Sequence, residues 1–139
     1  MIHVETSIHI DRPADEVFAV VSDPQTYPSW NSAVQAVEPM EGERRFRMER
    51  KLPSGRAENL LEVLYAERPR EVVLRAADGP TPFLYRFVLI SSNGGTDLSL
   101  KGDVELGGAS RLLGPLAGGA VKRGVDENFS ALKQLLERR

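Results

Sequence analysis

Between Pro115 and Glu137 apolar residues recur at steps of three and four: Leu116, Ala117, Ala120, Val121, Val125, Phe129, Leu132, Leu135 and Leu136, with Leu113 just ahead of them. Lys122, Arg123, Asp126, Glu127, Lys133, Glu137 and Arg138 fill much of the opposite side. Such a stripe is the mark of an amphipathic helix, here roughly 34 Å long at 1.5 Å per residue. Arg138 and Arg139 at its end complement the helix dipole. Almost everything before it has a different period, so a single long helix must cover whatever the rest of the chain builds.

The rest builds strands. From Ile2 to Ile10, Ile2, Val4, Thr6, Ile8 and Ile10 point one way and His3, Glu5, Ser7 and His9 the other, which is a half-buried strand. Asp11-Arg12-Pro13 then opens a short helix, because proline suits a first helical position and Asp15 and Glu16 suit a first turn. Val17, Phe18, Val20 and Val21 form its apolar stripe, and Asp23-Pro24 stops it. The stretch DPQTYPSWNS reads as a second small helix and a loop. Strands are predicted over Val34 to Val37, Glu43 to Leu52, Ala57 to Ala66, Glu71 to Ala77, Pro82 to Ser91 and Thr96 to Leu106. Turns at Pro53-Ser54-Gly55, Asp78-Gly79-Pro80 and Ser92-Asn93-Gly94-Gly95 separate several of them. Neighbours joined so tightly are antiparallel, since parallel neighbours need long crossovers.

The expectation is an α+β chain: one strand, two short helices, six strands and one long helix. Seven strands in one sheet twist and curl, and a curled sheet gripping one helix leaves a gap on its concave side. With 139 residues, the chain is expected to be a single domain over 1–139. The formal net charge of -2 offers no basic field for a phosphate backbone, so no nucleic-acid partner is expected. There are no cysteines, which removes disulfides, thiolate metal sites and cysteine nucleophiles and suits a cytoplasmic setting. No secretory signal pattern or membrane span is evident.

Several residues are similar to a known group. They are the opening IHIDRPADEVFAVVSD, the turn TYPSWNSAVQAVEP and the helix end NFSALKQLLE. With them the chain resembles, over essentially its whole length, the START/Bet v 1-like (SRPBCC) superfamily and its helix-grip fold. Within that superfamily it looks most like the polyketide cyclase/dehydrase and coenzyme-Q-binding branch. The resemblance implies a container for a hydrophobic small molecule: lipid, isoprenoid or aromatic polyketide. It implies no fixed catalytic signature, since fold does not fix activity.

The residues themselves carry little catalytic pattern. His3 and His9 are the only histidines and lie roughly 20 Å apart on the polar side of one strand, too far to share a metal. No metal and no cofactor are expected. Asp15-Glu16, Asp126-Glu127 and Glu41/Glu43 read as solvated charge, and Asp23 as a helix-end residue. The glycine-rich run from Gly107 to Gly119 lacks the Gly-Lys-Ser/Thr ending of a phosphate loop and reads as an entry to the long helix, with Gly114 as a cap. Gly118, Gly119 and Gly124 either widen a cavity or let a strand approach. No serine-hydrolase arrangement is visible.

The remaining signal is the inner face. Phe46, Met48, Leu61, Phe83, Tyr85, Phe87 and Leu100 on strands are expected to face Val121, Val125 and Phe129 on the helix. Tyr27 and Trp30 are expected near the mouth. Tyr85 and Asn59 are candidate polar contacts, and Arg50 shares a face with Phe46 and Met48. If Arg50 points inward, an anionic or polar ligand head follows; if not, it marks a bulge or an edge. The function expected is hydrophobic-ligand binding. The alternatives are a polyketide cyclase/dehydratase and a protein-partner module.

Overall fold

A computed structural model describes residues 1–42, 44–52, 55–105 and 115–139. The readings made above at Glu43, Pro53-Ser54, Leu106, Leu113, Gly114 and the glycine-rich run up to residue 114 lie outside the described residues. The chain runs through β1 (Ile2–Ile10), α1 (Ala14–Val21) and a 3-10 helix (Pro24–Ser29). It continues through β2 (Val34–Pro39), β3 (Arg45–Leu52), β4 (Gly55–Glu67), β5 (Glu71–Ala76), β6 (Phe83–Ser92), β7 (Gly95–Val104) and α2 (Pro115–Glu137).

The strands form one antiparallel sheet in the order β1-β7-β6-β5-β4-β3-β2. The short helices thus connect its two edges. Register follows the pleat: Val4 pairs with Gly102, which pairs with Tyr85, so inner residues stay inner across β1, β7 and β6. The β6–β7 hairpin closes through Asn93 (φ 50) and Gly94 (φ 78). Two successive positive φ values match the sheet's own twist, and Asn-Gly adopts them most readily. Asp23 caps the 3-10 helix by accepting the Gln25 amide at 3.0 Å.

Below the sheet, α2 packs chiefly against β1. Its second half is firmly seated, with Val125, Phe129, Leu132 and Leu136 all buried in the core. The end is clamped as well. Arg12 Nε donates to the Leu136 carbonyl at 3.0 Å and Nη2 to that of Glu137 at 3.5 Å. Lys133 Nζ donates to the His9 carbonyl at 2.6 Å, and the Asp11 amide to Glu137 Oε2 at 2.8 Å.

The first half differs from the sequence reading. Leu116 and Ala120 fall on the apolar stripe by period, yet both are exposed, Leu116 to 77%. From Leu116 to Gly124 only Ala117 is buried. Nor do the glycines there admit a strand. Among the described residues a Cβ at Gly118 or Gly124 would have nothing within 4 Å, and one at Gly119 would meet only Arg123 at 3.5 Å.

Two charge readings also change. His3 and His9 are exposed as expected, but each bonds an aspartate directly across the β1–β7 ladder: His3 with Asp103, and His9 with Asp97 at 2.7 Å. Asp126 accepts from Thr6 on the inner face of β1 as well as from Lys122, so it ties α2 to the sheet instead of facing water alone.

Candidate functional site

Inner residues of β6 set one wall of a cavity between sheet and α2. Phe83, Tyr85 and Phe87 alternate inward, with ring centroids 4.5 Å apart for the first pair and 6.3 Å for the second. Phe87 then stacks on Phe129 of α2 at 6.2 Å. These aromatic edges and faces run without a break from strand to helix. Gly102 on β7 makes the room: a Cβ there would stand 2.6 Å from Tyr85 Cδ1. The cavity offers about 60 Å³ to the centre of a water-sized sphere.

Ten of the residues singled out above line it: Tyr27, Trp30, Met48, Arg50, Phe83, Tyr85, Phe87, Leu100, Val125 and Phe129. Four do not. Phe46 and Leu61 lie further along β3 and β4 and are buried in core packing, and Val121 is half-buried beside that core. Asn59 is buried behind the wall, where it serves Arg50 instead of the cavity.

Tyr27 and Trp30 form part of the cavity wall. Both are buried, with rings edge to face at 5.0 Å. The Tyr27 hydroxyl donates to the Val21 carbonyl at 2.7 Å, and Trp30 Nε1 to Thr26 Oγ1 at 3.3 Å. Asn31, Ala33, Val34, Leu74 and Asn128 also line the cavity, and sequence reasoning misses them. For Asn128 a signal exists: it lies three residues after Val125 and so shares the inner face of α2. Its Oδ1 accepts the Ser32 amide at 3.4 Å, bridging helix and loop.

Arg50 points inward and is half-buried. Its Nη1 donates to Thr81 Oγ1 at 2.6 Å, to Asn59 Oδ1 at 3.2 Å and to the Thr81 carbonyl at 3.4 Å. Asn59 is fixed in turn by donating to the Asp78 carbonyl at 2.6 Å. The guanidinium carbon lies 5.6 Å from the centre of the Phe83 ring. Desolvation lowers the basicity of Arg50. Burial likewise raises the Tyr85 phenol above its ordinary range, with Arg50 opposing part of the rise, so Tyr85 is a hydrogen-bond donor at neutral pH. Among the described residues no cluster of histidine, aspartate and glutamate is placed to hold a metal ion.

All three tyrosines are shifted upward: Tyr27 by burial and then by Asp23, Tyr85 by burial, and exposed Tyr65 by its bond to Glu67. A phenol whose pKa rises on folding supports the fold fully below its unfolded value of about 10, and that support is lost as pH climbs beyond it. Phenolate absorbance is therefore expected only above about pH 10, with the buried pair ionising as the near-ultraviolet signal of Trp30 collapses. A buried tyrosine titrating below that range in folded protein would contradict the placement.

The comparisons agree with this architecture. The family model described as polyketide cyclase / dehydrase and lipid transport matches residues 1–137. The chain belongs to that family, and through it to the START/Bet v 1-like superfamily, whose fold generally binds hydrophobic ligands. A START superfamily protein from Mycobacterium smegmatis superposes with a TM-score of 0.82 at 18% identity, covering 98% of this chain and 97% of the other. TTHA0849 from Thermus thermophilus gives 0.82 at 19% identity, with the same coverage. Ara h 8.0201 gives 0.74 at 14%, covering 99% and 98%. At these identities the likeness is one of fold. No curated protein matches the sequence. No helix among the described residues is long and apolar enough to cross a membrane.

Proposed function

We propose that the chain, as a single domain in the cytoplasm, binds a hydrophobic small molecule in the cavity between sheet and α2. One observation carries the reading: six of the nine aromatic side chains in the sequence converge on that cavity around one inward arginine. Sites for small ligands have this character, a mostly apolar lining with few placed polar groups. Of the classes considered (lipid, isoprenoid and aromatic polyketide) the volume favours a small flat body. A longer chain would need more room than this volume offers.

A second reading draws on Tyr85 and Arg50. Two donors in one aromatic cavity suit the polarisation of a ketone during cyclisation, in which an enolate carbon attacks a carbonyl carbon, the alkoxide takes a proton and water is lost.

Native mass spectrometry of the purified protein, before and after exposure to a mixed lipid and aromatic extract, tests both. A discrete bound mass, recoverable in organic solvent, is the expected result. Protein that emerges free and takes up nothing would contradict ligand binding. Return of an extract component lighter by one water would favour the cyclase reading.

A further inference from the structure

Several arginines on the strands of this fold sit beside carboxylates: Arg47 with Glu38 and Glu58, Arg75 with Glu62, Arg86 with Glu71. Arg50 is different. It is the charged residue among those lining the cavity, and its partners are a neutral amide, a hydroxyl and a carbonyl. Among the described residues no carboxylate pairs with it. All three bonds use Nη1, so among the described residues the edge formed by Nε and Nη2 keeps its donors uncommitted. That edge is the one with which guanidinium grips a carboxylate in two parallel hydrogen bonds. An uncompensated charge withdrawn from water is costly, and a counter-ion recovers the cost. The cation–π contact with Phe83 and the Asn59–Asp78 relay hold the group still, so its orientation is set before a ligand arrives.

Resting on the ligand-binding reading above, we infer that Arg50 selects for charge: the cavity takes a flat aromatic or conjugated molecule bearing one oxyanion, as carboxylate, phenolate or enolate, in preference to its neutral counterpart. The oxyanion sits against Arg50 and the flat body runs along Phe83, Tyr85 and Phe87. A neutral sterol or hydrocarbon would leave the guanidinium unpaired and so binds less well. Tyr85, protonated at neutral pH, is a second donor along the same wall.

The probes are β-naphthoate and its neutral isostere β-naphthamide, titrated against the full chain and followed by fluorescence of Trp30, the single tryptophan, which lines the cavity. A charge-assisted pair predicts that naphthoate binds tighter by about tenfold or more. In Arg50→Gln the preference should vanish while naphthamide binding persists, which also reports that the variant is folded. Arg50→Lys, which keeps the charge without the fork, should retain part of the preference and covers the case in which the glutamine variant does not fold. Equal affinities in the unaltered protein, or a preference surviving in Arg50→Gln, would overturn the inference and leave ligand binding standing. Failure of both probes to bind would instead count against the ligand-binding reading and remove this one with it.

Discussion

Phe129→Ala is expected to cost about 3–5 kcal/mol of folding stability. Phe129 is 2% exposed and holds α2 to the sheet through its stack on Phe87. Truncation removes the transfer energy of the ring and leaves a void beside an existing hollow. The sheet side cannot collapse into that void, because β6 is bonded on both flanks by β5 and β7. The cost of such a truncation rises toward the upper end of its range when relaxation is blocked. Urea melts would measure the loss. Exposed Ile90→Ala on the outer face is the control, with an effect within about 0.5 kcal/mol. If the variant still folds, the enlarged cavity should accept bulkier aromatic probes than the parent. A loss under about 1 kcal/mol would mean that α2 is not docked through this ring.

Gly102→Ala is expected to destabilise by about 1–3 kcal/mol although alanine is ordinarily the better strand residue of the two. The reason is local: the new Cβ would stand 2.6 and 2.7 Å from two ring atoms of Tyr85 and 2.9 Å from Val4 Cγ1. Val4 belongs to the core under β1 and has no free direction, so the Tyr85 ring must give way into the cavity. Binding of β-naphthoate should weaken together with stability. Adding Tyr85→Leu should recover part of the stability, because the offending atoms leave with the ring. A Gly102→Ala protein as stable as the parent would show that Tyr85 does not lie against β7.

The inner and outer faces of β1, β6 and β7 are readable because alternation there is strict, and the Ser92–Gly95 turn fixes the partner of β7 within the sequence itself. The same holds for the buried half of α2, where Val125, Phe129, Leu132 and Leu136 keep a regular step. What escapes is long-range or masked by chemistry. Arg50 and Thr81 lie on separate segments, and no local pattern joins them. Asn31 and Asn128 look like surface residues by type, and only the fold turns them toward a hollow. The shift of register between Val63 and Tyr65 is invisible to alternation counted along β4 alone. Period alone places Leu116 in the core, yet it is exposed while Ala117 beside it is buried.

The α2 residues that line the cavity, Val125, Asn128 and Phe129, all belong to the seated half of the helix. Arg12 and Lys133 fasten the end of that same half. Where the helical wall stands is therefore fixed at a distance, by contacts that lie outside the lining. Substitutions at Arg12 or Lys133 are expected to shift that wall, so related chains with the same lining can differ in capacity.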